Sequence, residues 1–204
     1  MSASTHPFVF ALGAPSEEST QRTHARAQSE PLADVDREVF ARLYTRLAPR
    51  IHRFLSDLLF DSVLARDATQ ETFARALLHI GILHDEARAT PWIFGIARNV
   101  SLEVRKARAR ASRVTSLDDT VDLPAAEASS CPEATLEGRQ AARKLRAALA
   151  ALPEERRAIL LLRLDHGLSY DDIAASMGIS LAKVKVDIFR ARETLREHLE
   201  RHDR

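Results

Sequence analysis

The chain has 204 residues with 30 basic and 29 acidic side chains, and 45% of its residues are hydrophobic. This apolar content is sufficient for a packed core, and the length fits one large or two small domains, so a wholly disordered chain is excluded. The single cysteine, Cys131, excludes an internal disulfide and a cysteine-rich zinc site, and no apolar run approaches the roughly 20 residues that span a bilayer.

The remaining composition favours helices. Aromatic residues make up 5% of the chain and there are six glycines, whereas alanine, leucine and arginine are abundant. This mixture is typical of helical rather than twisted-sheet proteins. We therefore expect an all-α, cytoplasmic protein without membrane insertion, and the sequence predicts no metal site and no cofactor.

Residues 1–33 mix serine, threonine, proline, glutamine and glutamate without periodicity, which predicts a disordered N-terminal arm. Periodic apolar residues begin near residue 34. Val39, Leu43 and Leu47 recur every four positions and predict a helix with one apolar face. Pro49 is expected to interrupt or restart that helix, because proline lacks the backbone N–H.

A second helix is predicted over residues 63–80. It carries three polar residues, Asp67, Gln70 and Glu71, on one side, and Phe73 belongs to the other side. Periodicity alone leaves two readings open for the polar side: an ordinary solvent-exposed surface or a docking face for a partner.

A loop over residues 81–90 precedes a third predicted helix, in which Thr90 is the expected N-cap and Pro91 the first helical residue. An apolar stripe follows and predicts the side that faces a core: Trp92 or Ile93, Ile96, Val100 and Val104. Basic residues lie mainly off that stripe: Arg98, Arg105 and Arg108. The helix is therefore predicted to be apolar on one side and cationic on the other.

Charge changes sign abruptly after this helix. Residues 98–113 contain six basic residues and one acidic residue, whereas residues 114–137 contain six acidic residues and no basic one. Either a charged helix end runs into a polar linker, or a polyanion-binding helix precedes an acidic tether that stays off the polyanion. The predicted organisation is an arm, a first helical domain, an acidic flexible linker and a second helical domain: 1–33, 34–112, 113–135 and 136–204.

A helix-turn-helix is predicted near the C-terminus. Ser169 is positioned as an N-cap, with Asp172 three residues later as a short capping box. Gly178 supplies a tight turn, Ile179 fills the corner, and Ser180 caps the next helix.

The helix after Ser180 has the pattern of a DNA recognition helix. Its predicted buried stripe consists of Leu181, Val184, Ile188, Ala191 and Leu195. Its predicted outward face consists of Ala182, Lys183, Val186, Asp187 and Arg190, flanked by Lys185. The alternative at this point is an ordinary helical hairpin whose basic residues are simply solvated.

Two separate segments resemble one protein family. Residues 149–157 (Leu-Ala-Ala-Leu-Pro-Glu-Glu-Arg-Arg), with 167–170 and 189–192, resemble the fourth domain of bacterial extracytoplasmic-function (ECF) sigma factors. Residues 67–73 (Asp-Ala-Thr-Gln-Glu-Thr-Phe) and 91–99 (Pro-Trp-Ile-Phe-Gly-Ile-Ala-Arg-Asn) resemble the second domain of that family. The resemblance covers roughly residues 36–200 and keeps the family's domain order.

The resemblance implies an alternative sigma factor that binds core RNA polymerase, recognises the −35 and −10 promoter elements, helps to melt the promoter and directs initiation. Asp67, Gln70 and Glu71 would dock on the β′ clamp helices, and the second domain would meet the β flap. A further group would contact the −10 element, with Asn99 as a base contact and most of the basic residues on phosphate: Trp92, Arg98, Asn99, Arg105, Lys106 and Arg108. An anti-sigma factor is a possible further partner.

The resemblance also assigns −35 recognition to the helix after the turn, through Ser180, Ala182, Lys183, Lys185, Val186, Asp187 and Arg190. Val186 could contact a thymine methyl group. Asp187 departs from the family, because a basic residue is usual there. An acidic side chain near phosphates is repulsive unless it accepts a hydrogen bond from cytosine, so Asp187→Arg is expected to change promoter choice.

No Walker loop, GxGxxG, HExxH or Cys-x-x-Cys motif is present, so an enzyme is not expected. Two other functions remain open on the residues alone. One is a helix-turn-helix regulator that binds duplex operator DNA without polymerase. The other is a module that binds only proteins, such as a sequestering partner of polymerase.

Overall fold

The computed structural model describes residues 34–83, 85–115 and 136–202. Those ranges hold seven α-helices, two 3-10 turns and no strand, so the predicted all-α class is confirmed: α1 Asp34–Leu59, α2 Ser62–Leu78, turns Ile80–Ile82 and Glu86–Arg88, α3 Ala89–Thr115, α4 Leu136–Ala150, α5 Glu154–Leu164, α6 Tyr170–Met177 and α7 Leu181–His202. The predicted arm, His84 and most of the predicted linker lie outside the described residues.

The first domain, α1–α3, forms around apolar stripes that the sequence pattern predicts. Leu43, Leu47 and Phe54 of α1 are fully buried, and so is Phe94 of α3. The Phe54 and Phe94 rings meet edge to face with centroids 5.4 Å apart. Such aromatic pairs add about 0.5–1.5 kcal/mol beyond their buried area. The cationic side of α3 is consequently turned away from the α1–α2 core.

Two local predictions in this domain are wrong. Pro49 lies inside an uninterrupted α1, because the fully buried Leu47 and Ile51 on either side hold the helix in place despite the missing N–H. Thr90 is not the N-cap of α3, since the helix already begins at the buried Ala89, directly after a 3-10 turn. Asp85 caps the preceding 3-10 turn, where its carboxylate accepts from the Ala87 N–H at 2.9 Å.

The second domain, α4–α7, contains the predicted helix-turn-helix. The Ser169 hydroxyl accepts from the Asp172 N–H at 3.0 Å and the Asp172 carboxylate returns to Ser169, which completes a capping box. Gly178 has φ +65°, the left-handed conformation that favours glycine. Ser180 Oγ accepts from the Lys183 N–H at 3.2 Å and caps α7. The turn chemistry predicted from the sequence is confirmed.

The recurrence of Leu145, Leu149 and Leu152 predicts the inward side of α4, and Leu145 does not lie on it. Leu145 is 48% exposed, and the side chains that face inward near the end of the helix are Ala148 and Leu152. Arg146, next to Leu145, instead turns towards the first domain and donates to the Phe60 carbonyl at 2.7 Å. The register of α4 is therefore set partly by contacts outside its own domain.

The two domains are packed against each other, which the sequence pattern did not indicate. Ile159 and Leu162 of α5 and Ile173 of α6 belong to the same buried cluster as the α1–α3 core. Helices α3 and α6 are in close contact at Gly95, where an added Cβ would lie 3.1 Å from the Ser176 carbonyl oxygen. The Ser176 hydroxyl donates to the Pro91 carbonyl across the same contact at 2.8 Å.

Candidate nucleic-acid interface

The polar side of α2 is open to solvent. Asp67, Gln70 and Glu71 are all exposed, as a docking face requires. Glu71 accepts from Arg75 Nε at 2.7 Å, and the same guanidinium makes a bidentate pair with Glu103 of α3 at 2.8 and 2.7 Å. The hydrogen bonds to Glu103 and Glu71 raise the pKa of Arg75 further above its usual value. This pair fixes the polar side of α2 relative to α3.

The residues of α3 that were predicted to contact the −10 element lie in different surroundings. Trp92 is half-buried and packs against the core. Arg98 and Asn99 are half-buried neighbours, and Arg98 Nη1 donates to Asn99 Oδ1 at 3.3 Å. Arg108 is exposed and lies 3.6 Å from the Asp61 carboxylate, and Lys106 is exposed.

Arg105, in the middle of this cationic side, pairs with the second domain. Its Nη1 contacts Oε2 of Glu154, the first residue of α5. A carboxylate in the first turn of a helix is favoured there by the helix dipole, which explains why α5 begins with two glutamates. A cavity of about 160 Å³ beside this pair is lined by Leu58, Arg98, Leu102, Glu154, Glu155 and Ala158. Part of the cationic side of α3 is therefore engaged by α5.

A buried arginine joins the domains next to that cavity. Arg157 is 5% exposed and donates to the Leu58 carbonyl at 3.2 Å and to the Leu149 carbonyl at 3.3 Å. Burial lowers its pKa from the usual value. Its guanidinium lies 4.6 Å from the centroid of the Phe60 ring, and that of Arg146 lies 5.0 Å from the same ring. Phe60 has φ +57°, a strained conformation for a side chain of this size.

A buried histidine lies in the same interface. The side chain of His166 is 2% exposed and packs on Phe54 and Phe94 of the first domain, with centroid distances of 5.7 and 4.8 Å. Arg50 donates to the His166 carbonyl at 2.6 Å. Desolvation lowers the pKa of His166 to about 4, against an opposing contribution from Asp165. The imidazole is therefore neutral near pH 7.

The recognition helix α7 presents an open face. Val184, Ile188 and Ala191 are buried, as predicted, whereas the side chains predicted to meet DNA, apart from Asp187, are exposed: Ser180, Ala182, Lys183, Lys185, Val186 and Arg190. The sequence prediction missed Phe189, which is 64% exposed and three residues after the 47% exposed Val186. The i, i+3 spacing from Val186 was the available signal, because it puts both on one side of a helix.

Asp187 corrects one prediction. Its side chain is 7% exposed and faces inward, where it accepts from Lys183 Nζ at 2.6 Å and from Arg156 Nε at 3.3 Å. Burial alone would raise the pKa of Asp187, but the bonds and charges of these two cations lower it. The predicted outward-facing position of Asp187 is therefore wrong. The carboxylate neutralises two neighbouring cations, and the expected effect of Asp187→Arg on promoter choice stays a prediction.

The fold and the paired helical domains define a class of transcription protein. Residues 43–111 match the family described as "Sigma-70 region 2", and residues 142–195 match "Sigma-70, region 4". The chain is 33% identical over 155 residues to the ECF RNA polymerase sigma factor SigM of Bacillus subtilis, which covers 76% of this chain and 91% of that protein. It is 30% identical over 171 residues to the RNA polymerase sigma factor CarQ of Myxococcus xanthus, covering 83% of this chain and 94% of that one.

Two solved structures share the fold. The sigma factor RpoE in complex with the anti-sigma factor NepR from Bartonella quintana matches with a TM-score of 0.67 at 22% identity, covering 79% of this chain and 96% of that one. CnrH in complex with the cytosolic domain of CnrY matches with a TM-score of 0.57 at 21% identity, covering 88% and 96%.

The chain belongs to the ECF family of RNA polymerase sigma factors. It is an alternative sigma factor, which binds core RNA polymerase and promoter DNA and directs transcription initiation. Within the described ranges, the structure contains no helix that is both long and apolar enough to cross a bilayer, and no group of three metal-binding side chains.

Proposed function

We propose that the two domains divide promoter recognition between α3 and α7. The observation that carries the proposal is the capped helix-turn-helix with exposed Lys183, Lys185, Val186 and Arg190, preceded in the chain by a helix with a cationic side. Phe189 joins the −35 group as an apolar contact, because Phe189 and Val186 together form an exposed patch suited to thymine methyl groups.

In this proposal Asn99 contacts a −10 base and the basic residues of α3 neutralise phosphates, while Trp92 supports the helix from the core side. Phosphate contacts position a protein on DNA, and base contacts specify the sequence. The exposed α2 residues Asp67, Gln70 and Glu71 bind the β′ clamp helices, and the second domain binds the β flap. The polymerase supplies the catalysis, so the chain itself is not an enzyme and acts in the cytoplasm with core polymerase.

An anti-sigma factor is a further proposed partner. Two proteins of similar fold were solved in complexes, RpoE with the anti-sigma factor NepR and CnrH with the cytosolic domain of CnrY. A protein inhibitor would act by covering the polymerase-facing side of α2 or the cationic side of α3.

Run-off transcription with purified core polymerase tests the function on templates that combine randomised −35 and −10 elements. Transcripts that depend on both the chain and core polymerase are expected, from a narrow subset of templates. Tight binding of duplex DNA by the chain alone, with no stimulation of core polymerase, would instead identify an operator-binding regulator.

The assignment of α3 is tested by Lys106→Ala, an exposed position on its cationic side, in promoter binding by the chain together with core polymerase. Removal of one phosphate contact should weaken binding to all template sequences. It should also reduce the slope of log affinity against log salt concentration by about 1. Arg201→Ala, exposed near the far end of α7, is the matched loss of charge and should have no effect. Equal slopes for Lys106→Ala and wild type would remove α3 from the DNA interface.

A further inference from the structure

Two lysines of the recognition helix α7, Lys183 and Lys185, have different surroundings. Lys183 Nζ lies 2.6 Å from the Asp187 carboxylate and 3.3 Å from the carboxylate of Glu155, the second residue of α5. Lys185 is exposed and makes no ion pair within the part of the chain that the structure describes. Both lysines were predicted to meet the −35 element, so the structure separates two charges that the sequence pattern treats alike.

The Asp187 carboxylate, which holds Lys183, is itself fixed by a second element. Its side chain is 7% exposed, and its other oxygen accepts from Arg156 Nε of α5 at 3.3 Å. The hydrogen bond to Asp187 is the main reason why the pKa of Lys183 is raised. Lys183 therefore keeps its positive charge, but that charge is already neutralised by a carboxylate that solvent hardly reaches.

A promoter phosphate would have to replace Asp187 as the partner of Lys183. The exchange gains little, because a carboxylate and a phosphate accept the same charge-assisted hydrogen bonds from an ammonium group. It also leaves a largely buried carboxylate with Arg156 alone, and an incompletely paired buried charge is costly. Lys185 can bind a phosphate without either cost, because no carboxylate has to be displaced.

We propose that Asp187, supported by Glu155, withholds Lys183 from promoter phosphates and thereby limits the affinity of α7 for duplex DNA of any sequence. Asp187 is a positioning residue, which acts through Lys183 without touching DNA. Phosphate contacts carry no sequence information, so the limit reduces retention of the chain on bulk DNA and leaves the order of promoter preference unchanged. The inference rests on the proposed −35 role of α7.

The test measures binding of the full chain to two fluorescent duplexes by anisotropy. One duplex carries the −35 sequence selected by run-off transcription, and the other carries the same bases in scrambled order. Affinity is measured over a series of salt concentrations, because the slope of log affinity against log salt reports the number of neutralised phosphates. Circular dichroism establishes that each variant is folded.

Asp187→Asn keeps the size of the side chain and removes the charge that holds Lys183. We expect the slope to steepen by about 1 and the affinity for both duplexes to rise about fivefold at about 0.15 M salt, which is the effect of one added phosphate contact. Glu197→Gln is the matched control. It removes one negative charge from the same helix, but Glu197 is exposed and pairs with Arg201, so the slope and the affinity should stay unchanged.

Substitution of the two lysines tests whether the effect passes through Lys183. Methionine retains the length and the helix propensity of lysine. Lys183→Met should change the slope by less than about 0.3, whereas Lys185→Met should reduce it by about 1. In the Lys183→Met background, Asp187→Asn should no longer raise the affinity, because two residues that act on each other give non-additive effects.

Glu155→Gln should raise the affinity by less than about twofold, because both side chains of the Glu155–Lys183 pair are more than 40% exposed. An unchanged affinity in Asp187→Asn would overturn the proposal, and so would an equal gain in the Lys183→Met background or a gain for only one of the two duplexes. A failure of the proposed −35 role is distinguishable. If Lys185→Met leaves the slope unchanged, α7 does not lie on the DNA; if Lys185→Met reduces the slope but Asp187→Asn has no effect, only this inference fails.

Discussion

Two helices of this sigma factor carry the basic residues of a DNA-binding face, but they differ in how much of that face other elements cover. On α7, Lys185, Val186 and Arg190 are exposed. On α3, Arg105 is paired with Glu154 and Arg98 is half-buried beside the same glutamate. The difference is one of degree, because α5 also brings Glu155 to Lys183 of α7, while Lys185 and Arg190 remain exposed.

The reason lies in what each helix packs against. The buried stripe of α7, including Val184 and Ile188, faces its own domain and leaves the opposite side in solvent. Helix α3 is covered on two sides, by the α1–α2 core and by the second domain, which makes a close contact at Gly95.

The largest expected effect is the loss of stability in Arg157→Ala, because Arg157 joins the two domains. Its loss leaves the Leu58 and Leu149 carbonyls without these donors and removes a cation–π contact with Phe60. We expect the free energy of unfolding to fall by about 3 kcal/mol, measured by urea unfolding with circular dichroism. Arg139→Ala, on the exposed side of α4, is the control, and a loss below about 1 kcal/mol for Arg157→Ala would show that the bridge is not structural.

Asp187→Ala should have the next largest effect. It tests whether Asp187 contributes to stability or to base recognition. Without the carboxylate, Arg156 and Lys183 are left as neighbouring like charges, and we expect a loss of about 2 kcal/mol. Since the pKa of Asp187 is lowered in the folded state, this stabilisation is present above the unfolded pKa near 3.8 and is lost as the pH falls below it. Binding to a −35 duplex library should keep the wild-type order of preference. A reordered preference would mean that Asp187 contributes to base recognition after all.

Mild acid should separate the two domains and expose α3, because it protonates His166. The pKa of His166 is about 4 where the two domains are packed together, against 6.5 for an exposed histidine. Packing of the domains is therefore fully favoured above pH 6.5 and weakens as the pH falls towards 4. The fraction of chains with separated domains should rise about tenfold between pH 7.5 and pH 5.5. It is measured by energy transfer between fluorophores on cysteines at the exposed Ala74 and Glu200 in a Cys131→Ser chain. The charged groups facing the imidazole are Asp165, Arg50 and Arg53.

The substitution His166→Phe retains a ring against Phe54 and Phe94 and should abolish this pH dependence. His79→Gln, at an exposed histidine, should preserve it. If His166→Phe opens with the same pH profile as the wild type, another group controls the transition.

The smallest expected effect tests the exposed surface. Lys185→Ala should lower the slope of log affinity against log salt for a −35 duplex by about 1, with a change in stability below about 0.5 kcal/mol. The slope should fall equally in the wild type and in Gly95→Ala, whose added methyl group crowds the contact between α3 and α6, because Lys185 is exposed away from that contact. Unequal slopes would mean that docking also affects the −35 surface.

How well each feature could be predicted depends on the range of the interactions behind it. The capping box at Ser169, the left-handed Gly178 and the cap at Ser180 are local, and the sequence predicted all three correctly. The continuity of α1 through Pro49 was mispredicted, because tertiary burial of its neighbours outweighed a local preference. Asp187 was mispredicted for the same reason: its direction depends on Arg156, which is 31 residues away in the chain.

The all-α class, the helix-turn-helix and the family were all decidable from residue order, because helical periodicity, caps and short motifs are encoded within a few turns. Which charges remain available was decided only by the packing of one domain on the other. The pairs Arg105–Glu154 and Gly95–Ser176 join residues about 50 and 80 positions apart, and contacts at that separation leave no periodic trace in a single sequence.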